Sequence, residues 1–211
     1  MKVIKNYLYN VVYQVLVLLV PLITVPYISR VLGPDLVGIN SYTNSWMIFF
    51  MLVGQMGIAL YGNREVAYHR DNVVDRSKIF WGIETLQGIT ILLALIAYLA
   101  AVLLFSTTFK RFFLLQSFWI IAAGLDVSWY FMGMENFQRI VFRNMLVKLA
   151  SVALIFLLVK NQGDLGKYIA LLGLSNLVGN LTLWPYLKDE IKWVPISTWH
   201  PFKHFYPALL L

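Results

Sequence analysis

"IFWGIETLQGITILLALIAYLAAVLL", residues 79–104, decides the fold class. A single charged side chain, Glu84, stands in this run. A membrane-crossing helix needs roughly 20 mostly apolar residues, so the run is long enough to span a bilayer. Five more apolar runs flank it, at about 7–28, 37–62, 111–133, 141–159 and 167–187. The whole chain of 211 residues is 60% hydrophobic and only 13% charged. Its mean hydropathy is +0.71. A soluble domain carries about 25% charged residues, so this chain is expected to be an all-α integral membrane protein. Its first 187 residues read as a six-helix lobe. Residues 188–204 are basic, aromatic and Pro-containing, which suits an interfacial linker. Residues 205–211 read as the start of a seventh helix, so the chain is expected to be a truncated product or a fragment.

The class also says what to exclude. The chain has no cysteine and a net charge of +7. Thiol chemistry and cysteine-ligated zinc are therefore absent. The basic residues lie in short loops between apolar runs, where they report orientation and anionic lipid in place of nucleic acid. Twelve of the seventeen Lys and Arg, Lys2 and Lys5 among them, fall on one side of the six runs. The others, Arg30, Lys110, Arg111, Lys160 and Lys167, fall opposite. That bias predicts a cytoplasmic N-terminus. No phosphate-binding G-x-x-x-x-G-K-[ST] loop occurs, and no cofactor is expected. His200 and His204 are separated by Pro201, which spoils a two-histidine metal face, so no metal site is expected. Nothing forms a catalytic constellation, and the chain is not expected to be an enzyme.

The polar residues inside the runs carry most of the functional information. Asp126 lies seven residues before Gly133, roughly 10 Å into its run at 1.5 Å per residue. Glu84 and Lys148 fall at similar depth in their own runs. So do Gln14, Gln55 and Asn180. An ion at the centre of a membrane helix costs roughly 2.5–3.5 kcal/mol even on the mild insertion scale. Glu84, Asp126 and Lys148 are therefore expected to converge on a hydrated cavity open to the cytoplasm, with Lys148 beside Asp126 or Glu84. At 100° per residue, Asn144, Lys148 and Ser151 share one face, and Glu84, Gln87 and Tyr98 another. Gln14, Gln55 and Asn180 fit either a cavity lining or hydrogen-bonded contacts between helices. Arg30 fits a snorkelling anchor or a cation that meets a phosphate. Trp129 and Tyr130 fit interfacial anchors or sugar contacts, and Asn44 could hydrogen-bond a sugar.

Three stretches resemble a known family. "PLITVPYISRVLGPDLVGINSYTNSWMIFF" (21–50) looks like the opening of the oligosaccharide flippases. These form the polysaccharide-export branch of the multidrug/oligosaccharidyl-lipid/polysaccharide exporter superfamily. "GIALYGNREVAYHRD" (57–71) is similar to the end of their second helix and the loop after it. "LDVSWYFMGMENFQRIVFRN" (125–144) resembles their passage from the fourth helix to the fifth. The resemblance implies two six-helix lobes around a cavity that opens alternately to either side. It implies movement of undecaprenyl-diphosphate-linked sugar units across the bacterial plasma membrane, for capsule, exopolysaccharide or O-antigen. Implied partners are the lipid-linked oligosaccharide, membrane lipids, the polysaccharide polymerase and chain-length machinery, and a missing second lobe. The chain carries the first lobe only and is not expected to transport alone. The alternatives are a multidrug or cation antiporter of the same superfamily, or a truncated membrane protein that transports nothing.

Overall fold

The computed structural model describes residues 2–105 and 108–210, with side chains given for Val11, Gln14, Val15 and from Leu18 onward. Lys2 and Lys5, counted above for orientation, lie outside the described side chains. Helices carry the fold, and no strand occurs among the described residues. They are α1 (Lys2–Leu32), α2 (Pro34–Gln55), α3 (Ile58–Tyr68), α4 (Val73–Phe105), α5 (Lys110–Gly124), α6 (Ser128–Gly133), α7 (Phe137–Leu158), α8 (Leu165–Leu181) and α9 (Phe205–Leu209). Among the described residues, four stretches are long and apolar enough to cross a membrane: Pro34–Tyr68, Val73–Phe105, Lys110–Gly133 and Phe137–Leu158. Leu18–Leu32 of α1 is a shorter apolar helix, and α8 has 17 residues.

Two of these stretches are interrupted, and local chemistry shows why. Between α2 and α3 the chain turns through Met56 (φ 44) and Gly57 (φ 70). Two left-handed residues in succession end a helix, and glycine takes that conformation without a Cβ clash. Between α5 and α6 the break is Leu125–Val127. There the Asp126 carboxylate accepts hydrogen bonds from the Ser128 amide (2.9 Å) and hydroxyl (2.5 Å). An Asp bonding the amide two residues ahead is a turn former, so Asp126 helps to restart the helix it interrupts.

The lobe is built around α4, whose Phe80, Ile83, Leu86, Ile91, Tyr98 and Val102 are buried. Phe80, Ile83 and Leu86 join Trp129, Tyr130 and Phe131 of α6 in one core cluster. Ile91, Tyr98 and Val102 pack with Phe113 and Ile120 of α5 in another. α1 closes a third with α8 through Ile28, Leu32, Leu165 and Ile169. Small residues allow the close approaches, as expected for helices in lipid. A Cβ on Gly62 of α3 would stand 2.6 Å from the Trp129 ring. Outward faces are apolar as well: Leu22 is 68% exposed and Leu93 61%. An apolar core with an apolar exterior is what a bilayer solvates and water does not.

Candidate functional site

At the break in the α5–α6 stretch Ala122 O and Ala123 O accept amides three residues ahead, Leu125 at 3.2 Å and Asp126 at 3.4 Å, in place of the regular helical ladder, and buried carbonyls there need further donors. Side chains from three other elements supply the donors. Gln87 of α4 donates to Ala123 O (2.8 Å) and Asp126 O (3.1 Å). Asn180 of α8 donates to Ala122 O (2.7 Å). Trp184, in the turn after α8, donates to Leu125 O (3.0 Å). Gln87 also accepts from the Trp129 indole (3.1 Å). Arg143 of α7 completes the layer, donating to Asn180 Oδ1 (2.5 Å) and Ser128 Oγ (2.9 Å). A polar belt thus crosses α4, the helix break, α7 and α8 at one level.

Above this belt lies a cavity of about 260 Å³ between α1, α5, α7 and α8. Trp119, Arg143, Asn144, Lys148, Tyr168 and Asn176 are among its walls. It offers two cations, two amides and two aromatic rings, with the hydroxyls of Thr24, Ser151 and Ser175 beside them. Such a wall can hold an anion through charge-assisted hydrogen bonds and a sugar through amides and ring faces. Between α7 and the chain just after α8 lies a second, outer groove of about 510 Å³, lined by Phe142 and Leu146 with Thr182 and Tyr186. Arg143 and Val147 line both spaces.

The residues singled out in the sequence are distributed as follows. Lys148 faces the inner cavity with Asn144 and Ser151. No ion pair joins it to Asp126 or Glu84 among the described residues. The pairing expected for Asp126 is therefore replaced by its turn with Ser128, because the helix break brings that hydroxyl and amide within reach. Glu84 is 8% exposed, and its Oε2 is buried without a hydrogen-bond partner. Asp126 is near enough to act on it electrostatically. Asn180 serves the belt as a contact between helices. Gln55 is the last residue of α2, Asn44 is half-buried, and Gln14 and Arg30 are exposed. Trp129 and Tyr130 are 2% and 0% exposed. Both are core residues stacked or edge-on against Phe80.

Sequence reasoning missed Arg143 and Gln87 as organisers of the belt. Arg143 lies only two residues inside the run at about 141–159, where a cation is equally at home as a boundary residue. Gln87 shared the face of Glu84, and that spacing was the available signal. Gln116 was also missed. It is 1% exposed and donates to Asn40 Oδ1 (3.4 Å) and Thr43 Oγ1 (3.3 Å), tying α5 to α2.

The segment after α8 folds back onto the same end of the bundle. Arg139 pairs with Glu190 at 2.8 Å, and Arg76 donates to Glu190 O at 2.8 Å. Trp81 of α4 stacks on Trp199, with ring centres 5.2 Å apart. Trp199 O and the His204 ring lie so close to Gly82 that a Cβ there would collide with both. His204 Nδ1 and the Tyr61 hydroxyl share a hydrogen bond of 2.8 Å. Burial, with Lys203 and His200 nearby, holds the His204 imidazole below its usual value.

Comparison with known proteins adds an independent line. The family model described as "Polysaccharide biosynthesis protein" matches residues 3–206. A curated relative from Escherichia coli (strain K12), named "Putative O-antigen transporter", is 26% identical over 179 residues. The match covers 84% of this chain and 43% of that relative, so the chain spans less than half the length of the protein it resembles. No solved structure matches the chain.

Proposed function

Because the chain belongs to the polysaccharide biosynthesis protein family, we propose that it is the N-terminal six-helix lobe of a flippase for lipid-linked oligosaccharide. Its cargo is an undecaprenyl-diphosphate-linked repeat unit, moved across the bacterial plasma membrane for capsule, exopolysaccharide or O-antigen. The N-terminus is cytoplasmic. The observation that carries this reading is the inner cavity, where Arg143 and Lys148 stand with Trp119, Asn144, Tyr168 and Asn176 inside an apolar lobe. The cations suit the diphosphate and the amides and rings suit the sugar, while the prenyl chain stays in lipid. The work is binding and release, without bond chemistry. Alternating access needs a second body to move against, so one lobe alone moves nothing.

A second reading follows from Glu84. A buried carboxyl with an unpartnered oxygen beside another carboxylate suits an ion-coupled antiporter of the same superfamily. One experiment separates the two. The 211-residue chain in nanodiscs is titrated with undecaprenyl-diphosphate-linked trisaccharide and with organic cations. Retention of the sugar lipid, weakened about tenfold by Lys148→Gln, is expected. Retention of organic cations alone would support the antiporter. Flux of the sugar lipid by this chain in liposomes would overturn the single-lobe statement.

A further inference from the structure

We propose that a groove between the start of α4 and the chain after α8 holds one anionic phospholipid, with its hydrocarbon on tryptophan and its phosphate at Lys188. The groove measures about 550 Å³ and is separate from the inner cavity and from the groove on α7. Phe80 and Trp81 of α4 line it with Leu181 of α8 and with Trp184, Leu187 and Trp193. A concave space of this size with an apolar lining suits a ligand that carries hydrocarbon. Two of its tryptophans offer only carbon, because their N–H groups are spent on backbone. Trp81 donates to Lys192 O (3.2 Å) and Trp184 to Leu125 O (3.0 Å). Leu181 and Trp193 stand at the open side, 45% and 69% exposed. The floor is fixed, since Trp81, Trp184 and Ile191 pack on the buried cluster around Phe80. A wall already in place costs little ordering when a ligand arrives.

A short helix sets the charge at the groove. Trp184–Asp189 is a 3₁₀ helix, and residues three apart eclipse in such a helix. Pro185 and Lys188 therefore share one row, and Trp184 and Leu187 a second. Both rows line the groove. Tyr186 and Asp189 share the third row, and Tyr186 lines the groove on α7 instead. Asp189 thus falls on a different side from Lys188. Among the described residues, Lys188 is the only charged one that lines the groove, and it makes no ion pair. Its side chain is exposed. The neighbouring carboxylates are engaged elsewhere, Glu190 with Arg139 and Asp75 with Lys78. A lysine ammonium meets a phosphate as a point charge. The groove also lies at the end of the bundle that holds the Lys and Arg excess, and such an excess marks the leaflet with anionic lipid. Hydrocarbon walls beside one uncommitted ammonium match an anionic phospholipid. Seated there, the lipid joins α4 to the returning segment through Trp81 and Trp193, whose ring centres are 4.9 Å apart.

Lys188 and Trp193 test the site without disturbing the core, because both are exposed. The detergent-purified 211-residue chain is titrated with phosphatidylglycerol and with phosphatidylcholine and read by native mass spectrometry. One phosphatidylglycerol per chain is expected, held about fivefold more tightly than phosphatidylcholine. Lys188→Gln should remove that preference, and Trp193→Ala should weaken both lipids several-fold. Bound phosphatidylglycerol should also slow hydrogen exchange in residues 187–194. Several phosphatidylglycerols held with equal strength and indifferent to Lys188→Gln would be annular lipid only and would overturn the site. Failure of the wild type to retain phosphatidylglycerol would overturn it as well. Preferred retention of undecaprenyl diphosphate, with the same dependence on Lys188 and Trp193, would make the groove part of a substrate path and overturn the phospholipid assignment. The first two failures leave retention of the sugar lipid in the inner cavity, and so the flippase reading, standing.

Discussion

Gln87 is the residue on which three pieces of the molecule depend. Its amide serves Ala123 O, Asp126 O and the Trp129 indole together. Gln87→Leu keeps the volume near and removes the side-chain partner of all three. An unsatisfied buried polar group costs about 1–3 kcal/mol, so a loss of about 2 kcal/mol or more is expected in denaturant unfolding of the detergent-solubilised chain. Stability unchanged from wild type would mean that water reaches the break. Asp126 has a more local task. Asp126→Ala removes the acceptor that starts α6, which should cost about 1 kcal/mol, as for a lost helix cap. If Asp126 instead carried the coupling proton, Asp126→Ala would change the pH dependence of ligand retention and leave stability nearly intact.

At the scale of elements, two turns outside the spans respond to pH. Asp164 opens α8: its Oδ2 accepts from the Lys160 and Asn161 amides, and its Oδ1 pairs with Lys167 at 2.7 Å. The Lys167 ammonium first, and then the Lys160 amide, hold this carboxyl below the usual range. A depressed carboxyl adds stability that is present above its unfolded value of about 3.9 and is lost as pH falls through the folded one. Wild type should therefore exceed Asp164→Asn in stability at neutral pH, and the gap should close on acidification below about pH 4. A gap that stays constant with pH would contradict that assignment. The segment carrying His204 has the same sign. Its imidazole is held neutral by burial, so docking is complete above about pH 6.5 and weakens as pH falls through the lowered value. Hydrogen exchange in residues 196–204 should rise on mild acidification, and Tyr61→Phe should raise it at every pH.

For the whole molecule, the decisive property is which side each loop occupies. The chain has no cysteine, so single introduced cysteines report this directly. Lys160→Cys is expected to react with a membrane-impermeant maleimide in intact cells, and Lys188→Cys only after lysis. The reverse pattern would invert the orientation and place the groove on the outer leaflet.

Much of the fold is legible in the sequence. The density of apolar residues fixes a membrane protein because lipid accepts only helices and closed barrels, and uninterrupted runs such as 79–104 exclude the barrel. The spacing of Asn144, Lys148 and Ser151 already placed them on one face, since a helix repeats every 3.6 residues whatever surrounds it. The roles within the polar layer were not legible. Whether Asp126 meets Lys148 depends on where a helix breaks and how neighbouring helices rotate, and neither follows from depth along one helix. Packing turned Trp129 and Tyr130 into the core, gave Asp126 to Ser128, and made Arg143 the link between inner cavity and outer groove. Composition and periodicity are properties of single segments and survive in the sequence. Partnership among side chains forms only when helices distant in the chain come into contact.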